Sequence, residues 1–393
     1  MNTLERLDAW LPLPEEERML LASVQNLART QIAPRAEHHD RTAEFPWDNV
    51  KAINALGLNA MFIPEAYGGA PMSYSVYLAC VREIAKACAS TGIIWATNFH
   101  GIKPVITYGS EEQKQRLLPR VAEGGLVSLV ITEAGAGSDA TGMKTRFEPQ
   151  GDDIVVNGSK IFITSGDVAD LLLVFGKWGE IADAKGAISA LVVEKGAPGL
   201  SVLRTEDKLG HRASSTAALN FDGCRVPRAN LLGKPGDGLD ILLASLNKSR
   251  PSVAAHALGI ARGAFEDAAA YINERRQSGR RIVEFQGIQF MLADLASELA
   301  LCERWLWHVG ALVDAGVEDM GIEASMLKLR ATDLAMRMAT DAVQLYGGYG
   351  YCKDYRVERL LRDAKITQIW EGTNQVHRQL IGRSFMRKTE PNR

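Results

Sequence analysis

The stretch DIVVNGSKIFIT, residues 153–164, decides how the chain divides. β-Branched residues dominate it, and Asn157-Gly158 stands between two such runs. That dipeptide suits a two-residue hairpin turn, where both central positions take positive φ. The sequence therefore predicts a hairpin turning at 157–158. Further strand candidates follow in LLLVFGKW (171–178), AISALVVE (187–194) and TAALNFDGCRV (216–226), set apart by glycine, proline and charge. Strands in succession, without helices between them, argue for an antiparallel barrel or sandwich and against a βαβ sheet.

On both sides of this block the apolar period changes to three or four residues. Before it, PEEERMLLASVQNLARTQIAPRAEHHD (14–40), FPWDNVKAINALGLNAMFIP (45–64) and SYSVYLACVREIAKACAST (73–91) read as helices. Ser110 is placed to cap another helix opening on Glu111 and Glu112. After it, residues 252–276, 284–316 and 321–348 form long amphipathic segments with short breaks, as in an antiparallel bundle. The expected fold is α+β with three domains: N-terminal helices over 1–125, a β domain over 126–236 and a C-terminal four-helix bundle over 237–393.

Bulk properties exclude several classes of function. Hydrophobic residues make up 46% and charged residues 23% of 393, with a formal net charge of -2. Such a surface offers no basic excess for nucleic acid. No apolar run approaches the roughly 20 residues that span a bilayer. The N-terminal stretch carries early acids and no apolar core of a leader. The cysteines (80, 88, 224, 302, 352) are widely spaced without a CxxC pair, which disfavours zinc and disulfides and suits a reducing cytoplasm. The histidines show no ligand spacing, and the His38-His39 pair in a polar stretch reads as solvated surface. No metal is expected.

Two motifs invite chemistry. LVITEAGAGSDATG (129–142) matches G-x-G-x-x-A at Gly135, Gly137 and Ala140. A dinucleotide fold would need a helix directly after the glycines and an acid ending the next strand, and neither is present. A loop that a ligand can approach closely remains, beside the plainer reading of a turn between strands. The second motif is IWEGTNQ (369–375), where Glu371 lies between Trp370 and Gly372. Alone, Glu371 reads as an acid near a helix start.

ITEAGAGSD, GSKIFIT, RQSGR, QLYGGYG, RDAK and IWEGTNQ occur in this order across the helix–strand–helix layout. Together they resemble the acyl-CoA dehydrogenase family over essentially the whole chain, nearest its straight-chain branch. The resemblance implies bound FAD. Leu129, Ile131, Thr132, Gly137 and Ser138 match the loop at the flavin's pyrimidine end, and Phe162, Ile163 and Thr164 match the segment lining the other face of the ring. Many relatives carry tryptophan at Phe162. Arg275, Gln277 and Gln286 match residues that reach FAD from an adjacent subunit, and Gln344, Leu345, Gly347 and Gly348 match a turn that grips it across the interface. Ser278-Gly279 stands where relatives have an aromatic.

Thr373 and Gln375 match further FAD contacts. Ser138, Asn247, Arg250 and Gly372 match substrate contacts. Glu371 matches the catalytic base. A carboxylate in water is a weak base for an α-proton, and apolar surroundings strengthen it. One branch of the family keeps its base at the position of Ser249, where serine cannot serve. The resemblance also implies an acyl-CoA substrate oxidised to the trans-2-enoyl thioester, an electron-transfer flavoprotein as acceptor, and a homotetramer. Alternatives are a relative acting on a carrier-protein-bound acyl or prolyl thioester, and a flavin oxidase or hydroxylase.

Overall fold

The computed structural model describes residues 11–386 except 184, together with Leu4 and Arg6. Helix α1 (Glu15–Leu27) continues through a π turn into α2 (Ala33–Thr42). Then follow α3 (Trp47–Ala55), α4 (Tyr74–Ala87), α5 (Ala89–Tyr108) and α6 (Glu111–Ala122). Ser110 caps α6 as expected: its Oγ accepts from the Gln113 N–H at 3.2 Å, and Gln113 Oε1 accepts from the Ser110 N–H at 3.0 Å.

The middle of the chain is one sheet. Its strands are β1 (Val127–Val130), β2 (Arg146–Gln150), β3 (Asp153–Thr164), β4 (Leu171–Trp178), β5 (Ile188–Glu194), β6 (Leu200–Thr205), β7 (Thr216–Pro227) and β8 (Leu231–Leu232). They run in the order β6-β7-β3-β2-β4-β5-β8, with β1 beside β4. Five pairings are antiparallel; β4 runs parallel to both β1 and β2, so the sheet is mixed. β1 enters from the helices and docks on β4, far along the chain, which makes one of the two parallel pairs.

The hairpin expected at Asn157-Gly158 is absent. β3 passes straight through both residues, with only a register shift against β7 between Val156 and Gly158. Gly158 is instead the site of a close approach, since a Cβ there would lie 2.5 Å from Thr145 Oγ1. Asn157 Oδ1 accepts the Gly223 N–H at 2.8 Å across the sheet. The true turn lies earlier, at Gly151 (φ 63°) between β2 and β3.

The chain closes with α7 (Gly238–Glu274), α8 (Gln286–Asp314), α9 (Gly321–Tyr346), α10 (Val357–Thr367) and α11 (Asn374–Ser384). A two-stranded ribbon, β9 (Arg276–Gln277) and β10 (Arg280–Arg281), joins α7 to α8. Its turn is Ser278 (φ 51°) and Gly279 (φ 81°). Two successive positive φ values suit a tight hairpin, which is why a small residue and a glycine occupy this turn.

The helices at the two ends of the chain share a single core that includes Tyr77, Trp95 and Phe99 with Leu258, Leu299 and Leu334. Within it Arg82 bonds Glu303 at 3.1 Å and Glu83 at 2.8 Å, and Arg262 reaches the same Glu303 oxygen at 3.1 Å. This buried ion network ties α4, α7 and α8 together, and losing one partner would strand a charge in the core. Among the described residues no helix is long and apolar enough to cross a membrane, and all five cysteines are free.

Candidate active site

Between α10 and α11 the chain reverses on two successive positive-φ residues, Glu371 (φ 53°) and Gly372 (φ 91°). Glycine takes this conformation freely, while for glutamate it costs of order 1–3 kcal/mol and needs support from its surroundings. That support comes from distant helices. Lys328 of α9 donates to the Gly372 carbonyl at 2.7 Å and to Asn374 Oδ1 at 3.1 Å. His377 Nε2 lies 3.2 Å from the Glu371 carbonyl oxygen. Thr373 caps α11 by accepting the Val376 N–H at 3.3 Å. Asn374 is held in turn by Thr332 and by Asp333, at 2.9 and 2.7 Å.

The Glu371 side chain is gripped from α7, where the Ser249 hydroxyl donates to Oε2 at 2.6 Å. The neighbouring Arg250 is buried, and its Nη1 reaches Asn247 Oδ1 at 3.4 Å. Burial lowers the pKa of Arg250 against the opposing pull of the Glu371 charge. Burial likewise brings Lys328 down to about 7, with Glu371 again opposing and Arg250 adding to the drop. A carboxylate, a hydroxyl and the Arg250 and Lys328 side chains therefore meet at one turn, with Asn247 held against Arg250. Gln375 is exposed.

The histidines differ from expectation. His39 is buried, so His38-His39 is not a solvated pair, and His100, His211, His256 and His377 are buried as well. His211 Nε2 and His256 Nε2 lie 2.8 Å apart. Both rings meet the Trp370 indole edge-on, with centroids 5.0 and 5.7 Å away. Burial pushes His256 down to about 3 and holds His211 well below the ordinary histidine value, so both are neutral near pH 7.

A second group forms where β1 leaves the sheet. The Ile161 N–H donates to the Thr132 carbonyl at 2.9 Å and Ser128 Oγ to the Thr164 carbonyl at 2.7 Å, which lays the Leu129–Thr132 segment along the end of β3. Buried Lys160 bonds the Ile131 carbonyl at 2.8 Å and Glu133 at 2.9 Å; Glu133 also accepts the Lys144 N–H at 2.6 Å. Gly135 and Gly137 have ordinary φ, and a Cβ added at either would meet nothing within 4 Å, so the fold itself does not require them. Gly137 and Ser138 face solvent. Phe162 adopts φ 61° and is 61% exposed, against the usual preference of a large aromatic.

The third group lies on the surface. Arg275, Gln277, Gln286, Gln344, Gly347 and Gly348 are exposed, and the Arg275 guanidinium sits 5.4 Å from the Tyr349 ring centroid. Leu345 departs from expectation. Its side chain is 8% exposed and packs in the helical core, leaving only its backbone free to touch a ligand.

These features fit FAD. The exposed Phe162 ring and the open glycine loop suit a flat heteroaromatic. Ser165 Oγ and Trp370 Nε1 are buried without a protein partner. Arg275 suits a pyrophosphate. Sequence reasoning missed Lys328, His377 and the Ser249 contact. Lys328 did leave a signal, as a lysine on the apolar stripe of α9 that carries Ala324, Leu327 and Ala331.

Comparison with known proteins agrees with this layout. The chain matches the acyl-CoA dehydrogenase N-terminal domain over residues 14–125, the middle domain over 128–224 and the C-terminal domain over 236–386. It is 43% identical to an acyl-CoA dehydrogenase of Bacillus subtilis, covering 95% of this chain and 98% of that protein. The structure of butyryl-CoA dehydrogenase from Megasphaera elsdenii superposes with a TM-score of 0.92 at 34% identity, covering 95% and 99% of the two chains. A glutaryl-CoA dehydrogenase from Mycobacterium smegmatis in complex with FADH2 superposes with a TM-score of 0.90 at 28% identity, over 99% and 98%. The chain belongs to the acyl-CoA dehydrogenase family of FAD-dependent oxidoreductases.

Proposed function

We propose that this protein converts an acyl-CoA thioester to its trans-2-enoyl form, with Glu371 removing the α-proton. The observation that carries this reading is the Ser249–Glu371 hydrogen bond of 2.6 Å on a strained turn. Ser249 holds Oε2, leaving Oε1 free to take a proton at a defined point. Lys328, bonded to the Gly372 carbonyl, and His377, beside the Glu371 carbonyl, keep the turn from relaxing. The Glu371 N–H donates to the thioester carbonyl and stabilises charge developing there as the α-proton leaves. Ser138, Asn247 and Arg250 hold the CoA portion.

Bound FAD supplies the acceptor for the β-hydrogen and its electron pair. Leu129, Ile131, Thr132, Gly137, Ser138, Phe162, Thr164, Thr373, Gln375 and the backbone of Ile163, whose side chain is buried in the sheet core, would hold it from one chain. Arg275, Gln277, Gln286, Gln344, Gly347, Gly348 and the Leu345 backbone would complete the site of a neighbouring copy. The exposure of that group in a single chain supports assembly into a homotetramer. An electron-transfer flavoprotein then takes the electrons.

Anaerobic titration of the purified flavoprotein with acyl-CoAs of different length and branching tests the proposal. Bleaching of the flavin band by one class is the expected result, with E371Q binding the same ligand unbleached. A flavin band that no CoA thioester bleaches would overturn it.

A further inference from the structure

We propose that the His211–His256 pair is a positioning device for the catalytic turn, acting on Glu371 through the Trp370 ring. The proposal rests on Glu371 being the base. Helix α7 touches the turn at two points on one face. Ser249 bonds the Glu371 carboxylate, and His256, seven residues or two helical turns further on, lies against Trp370. The two contacts bracket the 370–371 peptide.

The backbone of His211 is locked to α10, the helix that leads into Trp370. It adopts φ 49° and donates its N–H to Asp363 Oδ1 at 2.6 Å. Its carbonyl accepts the Ser214 N–H at 2.9 Å. The preceding Gly210 lies so near that a Cβ on it would fall 2.4 Å from the Arg362 carbonyl oxygen. The loop before β7, the middle of α7 and the end of α10 thus converge on one indole.

A 2.8 Å contact between two imidazole nitrogens is favourable only when one carries the proton and the other a lone pair. Asp363 Oδ1, 3.7 Å from His211 Nδ1, favours a proton on that nitrogen. His211 Nε2 is then the acceptor and His256 Nε2–H the donor. Lys208 and His100 also bear on the pair, and both disfavour an added positive charge. A directional bond between two rigid rings sets where the indole can sit, whereas apolar packing would allow it to rock. Misplacing a catalytic group by about 1 Å can cost about 100-fold in rate.

The test compares H256L with H256Q in the FAD-loaded enzyme, reading kcat, KM, flavin per chain and the isotope effect with α-deuterated acyl-CoA. Leucine removes the donor, while glutamine can still donate to His211. The expected result is a loss of 10-fold or more in kcat for H256L, with KM and flavin content unchanged and a larger isotope effect, and recovery of most of the rate in H256Q. H211L, which removes the acceptor from the loop side, should match H256L. Unchanged kcat and isotope effect in H256L overturn the proposal. So do equal losses in H256L and H256Q, or failure of both H256L and H211L to fold, which would mark the pair as structural. E371Q run alongside separates the two readings: turnover retained in E371Q removes the base assignment itself, whereas an inactive E371Q beside a normal H256L removes only the positioning role.

Discussion

Around Glu371 the chain supplies its own partners. Ser249 comes from α7, Lys328 from α9 and His377 from α11, and together they hold a residue in a conformation that glutamate resists. Around Arg275 the opposite holds. The ribbon and the end of α9 present arginine, two glutamines and bare glycines to solvent, and Arg275 rests on Tyr349. The first region is finished within one chain and the second is open. Strain can be kept only where surrounding structure over-determines it, so the reacting group belongs in the first. A surface that must also meet a neighbour and a ligand belongs in the second.

The largest expected effect breaks the finished region at its centre. E371Q keeps the side chain's shape and removes the base, and kcat should fall by about 10²–10⁴-fold with flavin content unchanged. Steady-state kinetics and the absorption spectrum check both parts. Acid should strike the same region next. His256 and His377 are pushed down to about 3 by burial, and His100 and His211 are also lowered. The unfolded chain binds more protons than the folded one below pH 6.5, so stability falls as pH falls. Between pH 7 and 5 each strongly shifted histidine costs about 2 kcal/mol. Asp363, raised to about 6 by burial, works in the opposite direction over part of that range. Tm measured against pH should drop clearly from 7 to 5; a flat profile would contradict the buried histidines.

K328M leaves the Gly372 carbonyl and Asn374 Oδ1 without their buried donor and should cost about 1–3 kcal/mol in urea unfolding. The open region should respond differently. R275A is expected to weaken FAD binding about 10-fold, measured by flavin fluorescence on dilution, with unfolding of the flavin-free protein unchanged within about 0.5 kcal/mol. If R275A destabilises the flavin-free protein as much as K328M, the contrast between the two regions fails. S249A is the mildest change. It releases one carboxylate oxygen and should lower kcat several-fold, because the base loses orientation and not its chemistry.

The order of helices, strands and helices was legible because apolar period survives in any strand or amphipathic helix. The motif at 369–375 was legible because Glu371 and Gly372 are adjacent in sequence. Ser278-Gly279 and Asn157-Gly158 show the limit. Both carry turn chemistry, yet only the first turns. At 157–158, pairing with strands on both sides and the approach of Thr145 favour extension over local preference.

Local residue pattern by itself determined the helix–strand–helix order, while the candidate base was named only through the resemblance that six motifs in order carry. Tertiary structure alone decided which helix reaches that base, that Leu345 faces the core, and that the rings of histidines 211 and 256 meet at 2.8 Å behind Trp370. Those contacts join residues 45 and more positions apart, and their distances depend on how whole helices pack, which no local pattern encodes.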